Sequence, residues 1–241
     1  MKKTFLLAAM LFCAAAVAQT PVAITAEPHH HLKFQNDFVR VFYVAVAPHQ
    51  TTLMHAHDKP YLYVALGDAQ FTNNVLGTGE SDVALKDAHY RYSSGGFAHM
   101  ATNLLDTPFR NVTVEFEKPQ DNARNLCEQV IEHQALHCPA GAATHATKPP
   151  AGTSTTVPEF ETDQSHVSFT RMAAGAKITF AADAPDTLIV ALENASLHVT
   201  QTGKPMTKLT SGGSIWLARG TGASIENAGN SISRYLVFEF K

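Results

Sequence analysis

The chain has 241 residues, a formal net charge of −3 and hydrophobic residues at 45% of positions, a composition that builds a buried core rather than a disordered chain. That charge gives no reason to expect nucleic acid or an anionic membrane surface as a partner. Thirteen histidines, most of them before residue 100, are unusual for this size.

The chain opens MKKTFLLAAMLFCAAAVAQT. Lys2 and Lys3 precede an apolar run from Phe5 to Ala16, and Ala16-Val17-Ala18 supplies small residues for cleavage, which predicts a secretory signal peptide over 1–18. The run is shorter than the roughly 20 apolar residues of a membrane span, and no later stretch is long enough either. The mature protein is therefore expected in the periplasm or secreted, and off the membrane. Cys13 raises a lipoprotein alternative, against which stands the bulky Phe12 before it. The remaining chain has room for one large domain or two of about 100 residues.

Short apolar stretches recur between turn signals, which predicts an all-β sandwich or barrel. In chain order they are RVFYVAVAP, YLYVALG, AQFTNNVLG and RNVTVEF, then SFTRM, DTLIVALE, ASLHVTQ, SIWLAR and RYLVFEF. The chain also repeats itself. VALGDA at 64–69 lies over VALENA at 190–195, an offset of 126, and FRNVTVEF at 109–116 lies over SRYLVFEF at 233–240, an offset of 124. At the second offset Asn103 falls on Asn227. Two blocks in one order at nearly equal offsets predict two copies of a β-domain, over 28–117 and 156–241. The connector, 118–155, differs in texture: DNARNLCEQVIEHQALHC is expected to form one helix, and CPAGAATHATKPPAGTSTT is a linker that cannot pack a core. Export makes a Cys127–Cys138 disulfide the first expectation there, although His133 and His137 beside them also suit a zinc cluster.

His55-Ala56-His57 stands at the entry of a strand, and the alternation of side chains sends both imidazoles to one face. Alone, such a pair is more often two surface groups or a satisfied polar pair. A third histidine, His99, stands between Gly96 and Asn103. Two imidazoles from one strand and a third from an antiparallel neighbour can converge inside a narrow barrel and bind one divalent first-row metal, with positions left open. Iron, manganese, zinc, copper and nickel all suit such a set. His29-His30-His31 reads either as the source of a further ligand or, more ordinarily, as a solvated segment leading into an edge strand. His49 and His89 read as turn and surface residues, and Asp58 as a solvated loop carboxylate. Arg40 and Arg110 read as solvated strand ends or as barrel-mouth cations for an anionic substrate. No nucleophile elbow, phosphate loop or dinucleotide fingerprint is present.

These residues resemble the cupin superfamily, recognised by two motifs. The first is a His-x-His pair, an acidic residue and a glycine; His55, His57 and Gly67 match it, with Tyr61 at or beside the place of the acid. The second is Pro-x-Gly-x-x-His-x-x-x-Asn, matched from Ser94 to Asn103 with Ser94 in place of proline. The resemblance covers both copies, and implies two double-stranded β-helix (jelly-roll) barrels joined by a helix-containing linker. It implies one metal, on His55, His57 and His99. Tyr61 has three readings: a phenolate ligand, a donor to a metal-bound water or substrate, or an aromatic filling the space of the missing acid. In the second copy His55, His57, Tyr61 and His99 map to Ala181, Asp183, Thr187 and Ala223, so a second metal site is not expected. That copy would support the first or form part of an intersubunit face in a homodimer. Three-histidine cupins include dioxygenases, so the resemblance implies a metal-dependent oxidoreductase of dioxygenase type acting on a small molecule. The alternatives are a non-catalytic periplasmic small-ligand or metal-binding protein, and a structural bicupin with vestigial histidines.

Overall fold

The structure is a computed structural model describing residues 20–126 and 149–241. The expected leader, both cysteines of the mature chain, His133 and His137 lie outside the described residues. The described chain is all-β apart from one 3-10 turn at Ile24–Ala26.

Two five-stranded sheets come from the first half. One has the order Val22–Ala23, His55–His57, Phe97–Asn103, Ala69–Val75 and Gly79–Leu85. Its partner runs His30–Gln35, Val39–Val46, Phe109–Phe116, Tyr61–Ala65 and Tyr90–Ser93. The second half repeats the plan. Lys177–Phe180, Ala223–Asn227, Ser196–Gln201 and Thr207–Thr210 form one sheet. The other runs Arg124–Asn125, Ser154–Glu161, Ser165–Met172, Ser233–Phe240, Asp186–Ala191 and Ser214–Leu217. Nine strands of each half fall in matching positions, so the repeat read from the sequence is a repeat of topology. Asn103 and Asn227 are its clearest pair. Each donates its side-chain amide to the carbonyl four residues on (Thr107, Ser231) and accepts the backbone N–H two residues on (Leu105, Gly229). Each therefore fixes the same turn into the last strand of its half.

Three apolar layers result. Phe42, Val44, Phe71, Leu85 and Phe109 fill the space between the first two sheets, and Met172, Ile189, Leu197, Ile225 and Tyr235 fill the space between the second two. The third layer lies where the halves meet. Val41, Leu62, Val114 and Phe116 pack there against Phe169, Leu188, Leu236 and Phe238. Strands such as Tyr61–Ala65, buried at every residue, therefore read as unbroken apolar runs, because both faces are covered. Polar clamps fix this junction: Tyr90 donates to Glu159 at 2.6 Å and Arg110 to Glu193 at 2.9 Å.

Two local expectations are corrected. Residues 121–126, the start of the expected helix, are not helical: Arg124–Asn125 pairs antiparallel with Phe160–Glu161, and the Leu126 N–H donates to the Glu159 carbonyl, while the rest of that expected helix lies outside the described residues. The mapping of His55 and His57 onto Ala181 and Asp183 also slips by one residue. His55 pairs with His99 while Phe180 pairs with Ala223, so Phe180 and Ala182 hold the equivalent places. Tyr61 and Thr187 do correspond, facing Glu115 and Glu239 in the same register.

Candidate metal centre

The site lies between the two sheets of the first half. His55 and His57 flank Ala56 on one short strand, both buried on its inner face. His99 stands opposite His55 on the neighbouring antiparallel strand. Gly95 and Gly96 set that strand's start. Both have positive φ, a Cβ on Gly95 would collide with the Lys59 carbonyl, and the Gly96 N–H donates to the His57 carbonyl at 2.7 Å. The glycines of the motif are thus the tie between the two histidine strands. Ring centroids lie 5.1 Å apart for His55 and His57, 4.6 Å for His55 and His99, and 5.1 Å for His57 and His99.

A fourth imidazole joins them. His30, the first residue of its strand, has its ring 4.6 Å from that of His55. Ligating atoms of His30, His55 and His57 all lie within 4.8 Å of one another. The reading of His29–His31 as a solvated run is therefore wrong for His30 and right for the exposed His31. The hydrogen bond to Glu27 holds His30 at the cluster, while the next residue of its strand is exposed.

The tautomers are set by oxygens behind the rings. His55 donates Nδ1–H to the Leu53 carbonyl at 2.8 Å, His99 donates to Asn73 Oδ1, and His30 donates to Glu27 Oε2 at 2.6 Å. His57 places Nδ1 3.4 Å from Oε1 of the buried Glu115. The rings of His30, His55 and His99 are thereby oriented with Nε2 as the lone-pair nitrogen, the arrangement in which histidines meet metals, whereas Nδ1 of His57 makes no hydrogen bond. Nε2 of His55 and of His99 is buried without a hydrogen-bond partner, which a metal ion would satisfy. Burial is the main cause that lowers the His55 pKa to about 4 and holds His57 and His99 well below the ordinary imidazole value, with neighbouring imidazoles adding to it. The rings are neutral at pH 7 and bind without losing a proton first.

Two carboxylates support the cluster. Glu27 has no exposed side-chain surface and accepts from the His29 N–H, His29 Nδ1, His30 Nδ1 and the Leu53 N–H. Burial pushes its pKa up, but those hydrogen bonds and the charge of His30 outweigh it and bring it to about 2. Glu115 is buried beneath His57; burial raises its pKa against the pull of Arg40, whose guanidinium lies 2.6 Å away. Glu117 and Lys59 extend this charge cluster. Arg40 is therefore spent behind the site, and Arg110 on Glu193, so neither holds a substrate. Tyr61 lies flat against His57, with centroids 4.2 Å apart and planes 24° apart, and its ring wedges that imidazole in place. Asp58 is exposed, and His49 is a turn residue at φ 58° that pairs with Asp106.

Neither a scan against protein-family models nor a search of curated proteins finds a match. Solved structures do match. AerE from Microcystis aeruginosa aligns over 92% of this chain and 96% of its own, with a TM-score of 0.61 and 13% identity. A cupin 2 conserved barrel domain protein from Leptotrichia buccalis aligns over 88% of both chains, at TM-score 0.53 and 10% identity. Salicylate 1,2-dioxygenase from Pseudoaminobacter salicylatoxidans, in adducts with gentisate, aligns over 84% of this chain and 68% of its own, at TM-score 0.55 and 14% identity. The fold is that of the cupins. Against the cupin motifs this chain departs at the acid of the first, where Tyr61 packs on His57 instead. His30, Glu27 and Glu115 belong to neither motif. His30 carries no alternation signal, since the next three residues of its strand are all exposed; its one local mark is Glu27 three residues before it.

Proposed function

We propose that the chain is an exported two-barrel cupin whose N-terminal barrel binds one divalent metal through His55, His57 and His99, with His30 beside them. The carrying observation is the convergence of His55, His57 and His99 beside His30, with Nδ1 of His30, His55 and His99 each hydrogen-bonded to an oxygen behind its ring. In this reading the barrels correspond to the two expected domains and the second supports the first across the apolar layer between them. A bound metal would supply a Lewis-acid or redox centre with positions left open for a small molecule. The protein's own part is to hold the ligating nitrogens neutral and oriented, to wall the cavity with apolar strands and to limit what enters. The likeness to a dioxygenase fold, with gentisate bound to that protein, supports an oxidoreductase of dioxygenase type as the activity. The second reading is a non-catalytic periplasmic protein that binds metal or a small ligand through the same cluster. Oxygen uptake by the iron(II)-loaded chain, offered small phenols, diketones, thiols and short organic acids, separates the two. Turnover that requires iron and is lost in His99→Ala supports the oxidoreductase. Tight binding of zinc or copper, with no uptake for any of these compounds, supports the binding protein.

A further inference from the structure

From a cavity in the second half we infer that this half holds a site of its own, for a small primary ammonium ion with a short apolar body. The inference is independent of the metal reading, since none of His30, His55, His57 and His99 lines this cavity. The space measures about 140 Å³ and is lined from four strands, Ser154–Glu161, Ser165–Met172, Lys177–Phe180 and Ser233–Phe240. An apolar cavity of about 150 Å³ accepts benzene, so this one suits a body of about six non-hydrogen atoms.

Comparison of the two halves shows what the cavity lacks. Glu239 lines it at the place that Glu115 holds in the first half: Glu115 faces Tyr61 and Arg40 across its two strand pairs, and Glu239 faces Thr187 and His166. Glu115 is spent on the Arg40 guanidinium at 2.6 Å and lies 3.4 Å from Nδ1 of His57. In the second half His166 stands in the place of Arg40 and Ala182 in that of His57. The half-buried Glu239 makes no ion pair and no side-chain hydrogen bond among the described residues. The second half therefore keeps the carboxylate and has lost the groups that engage it. No lysine or arginine lines the cavity either, so a cationic ligand supplies the charge that the fold leaves out.

The rest of the wall narrows the class of cation. Thr156 and Thr170 bond each other at 3.0 Å, whereas the buried Ser168 makes no side-chain hydrogen bond among the described residues. The buried Tyr235 hydroxyl, close to Thr170, forms no well-directed hydrogen bond. A primary ammonium group has three donors and no acceptor, and the Glu239 carboxylate with the unengaged Ser168 oxygen are acceptors for it. A carboxylate ligand would meet Glu239 as a like charge. Ile178, Phe180 and Val237 supply the apolar wall against which the body of the ligand packs.

The test is calorimetric titration of the full mature chain, as purified and again after metal removal, with pentylammonium chloride, 1-pentanol and sodium butanoate, probes of equal size. Pentylammonium should bind one per chain with the same affinity in both preparations, and the alcohol and the acid at least about tenfold more weakly. Glu239→Gln should weaken pentylammonium by at least about tenfold, and Ile178→Trp, which fills the cavity, should abolish its binding. Alcohol or butanoate binding as tightly as pentylammonium overturns the inference, and this comparison rests on the wild-type chain should a variant fail to fold. So does pentylammonium binding that is undiminished in folded Glu239→Gln, that requires the metal, or that is absent at millimolar concentration.

Discussion

Replacing Glu27 with glutamine removes one charge and two acceptor sites at almost constant volume. Oε1 of Glu27 accepts from His29 Nδ1 at 2.8 Å and from the Leu53 N–H at 3.2 Å, while Oε2 accepts from the His29 N–H at 2.8 Å and from His30 Nδ1 at 2.6 Å. Whichever way the amide of Gln is turned, its NH2 faces two donors, and one of each pair is a backbone N–H that cannot change tautomer. A buried donor left without an acceptor costs about 1–3 kcal/mol, so Glu27→Gln should lose about 2–4 kcal/mol of stability. For a chain of this size that is roughly 5–15 °C in melting temperature. If the His30 ring instead moves its proton to Nε2 to meet the NH2, it gives up the lone pair that faces the metal. Loss of such a supporting carboxylate typically costs about 10- to 100-fold in metal affinity. Thermal melts of the metal-free chain and zinc titration against a competing chelator read the two effects, with His31→Ala as the neutral comparison. A Glu27→Gln chain that melts like wild type and binds zinc as tightly would refute the role given to Glu27 and the placement of His30.

Acid should destabilise the metal-free protein early. His55 has its pKa lowered to about 4 from an ordinary 6.5, so its contribution is complete above pH 6.5 and is lost as the pH falls to about 4. That single group amounts to about 3 kcal/mol over the window, and His57 and His99 are shifted in the same direction. Denaturant unfolding of metal-free protein from neutral pH down to about 4 checks this; a flat profile would contradict it. Tyr61→Phe keeps the ring that stacks on His57 and should leave metal content unchanged, whereas Tyr61→Ala should free the imidazole and weaken zinc binding by about tenfold. Zinc loss in Tyr61→Phe, measured by chelator competition, would make the phenol a ligand instead.

The sequence showed most of what a strand shows locally. YLYVALG and RNVTVEF are strands because both their faces are covered, and their apolar runs say so. Gly79–Leu85, exposed at most of its residues, and Lys177–Phe180 carry no such run and were invisible. The repeat was legible through two short blocks, and the register slip at Phe180 was not, because a one-residue shift in a strand leaves little trace in composition. His55, His57 and His99 were legible from spacing and flanking glycines. His30 was not, since its place depends on Val22–Ala23 pairing with His55–Ala56 and on Glu27 reaching Leu53, contacts that only the folded chain creates. Glu115 hid for a similar reason: it faces Tyr61 across a strand pair rather than following the histidines in sequence.

The central claim, that these imidazoles are a metal site, is tested most directly by the metal content of protein purified without chelator, read by mass spectrometry beside His55→Ala and His99→Ala. The account predicts close to one equivalent of a single divalent metal in the wild type and its loss in both variants. Wild-type protein without metal, and unable to take any up after dialysis against zinc or iron(II), would contradict it.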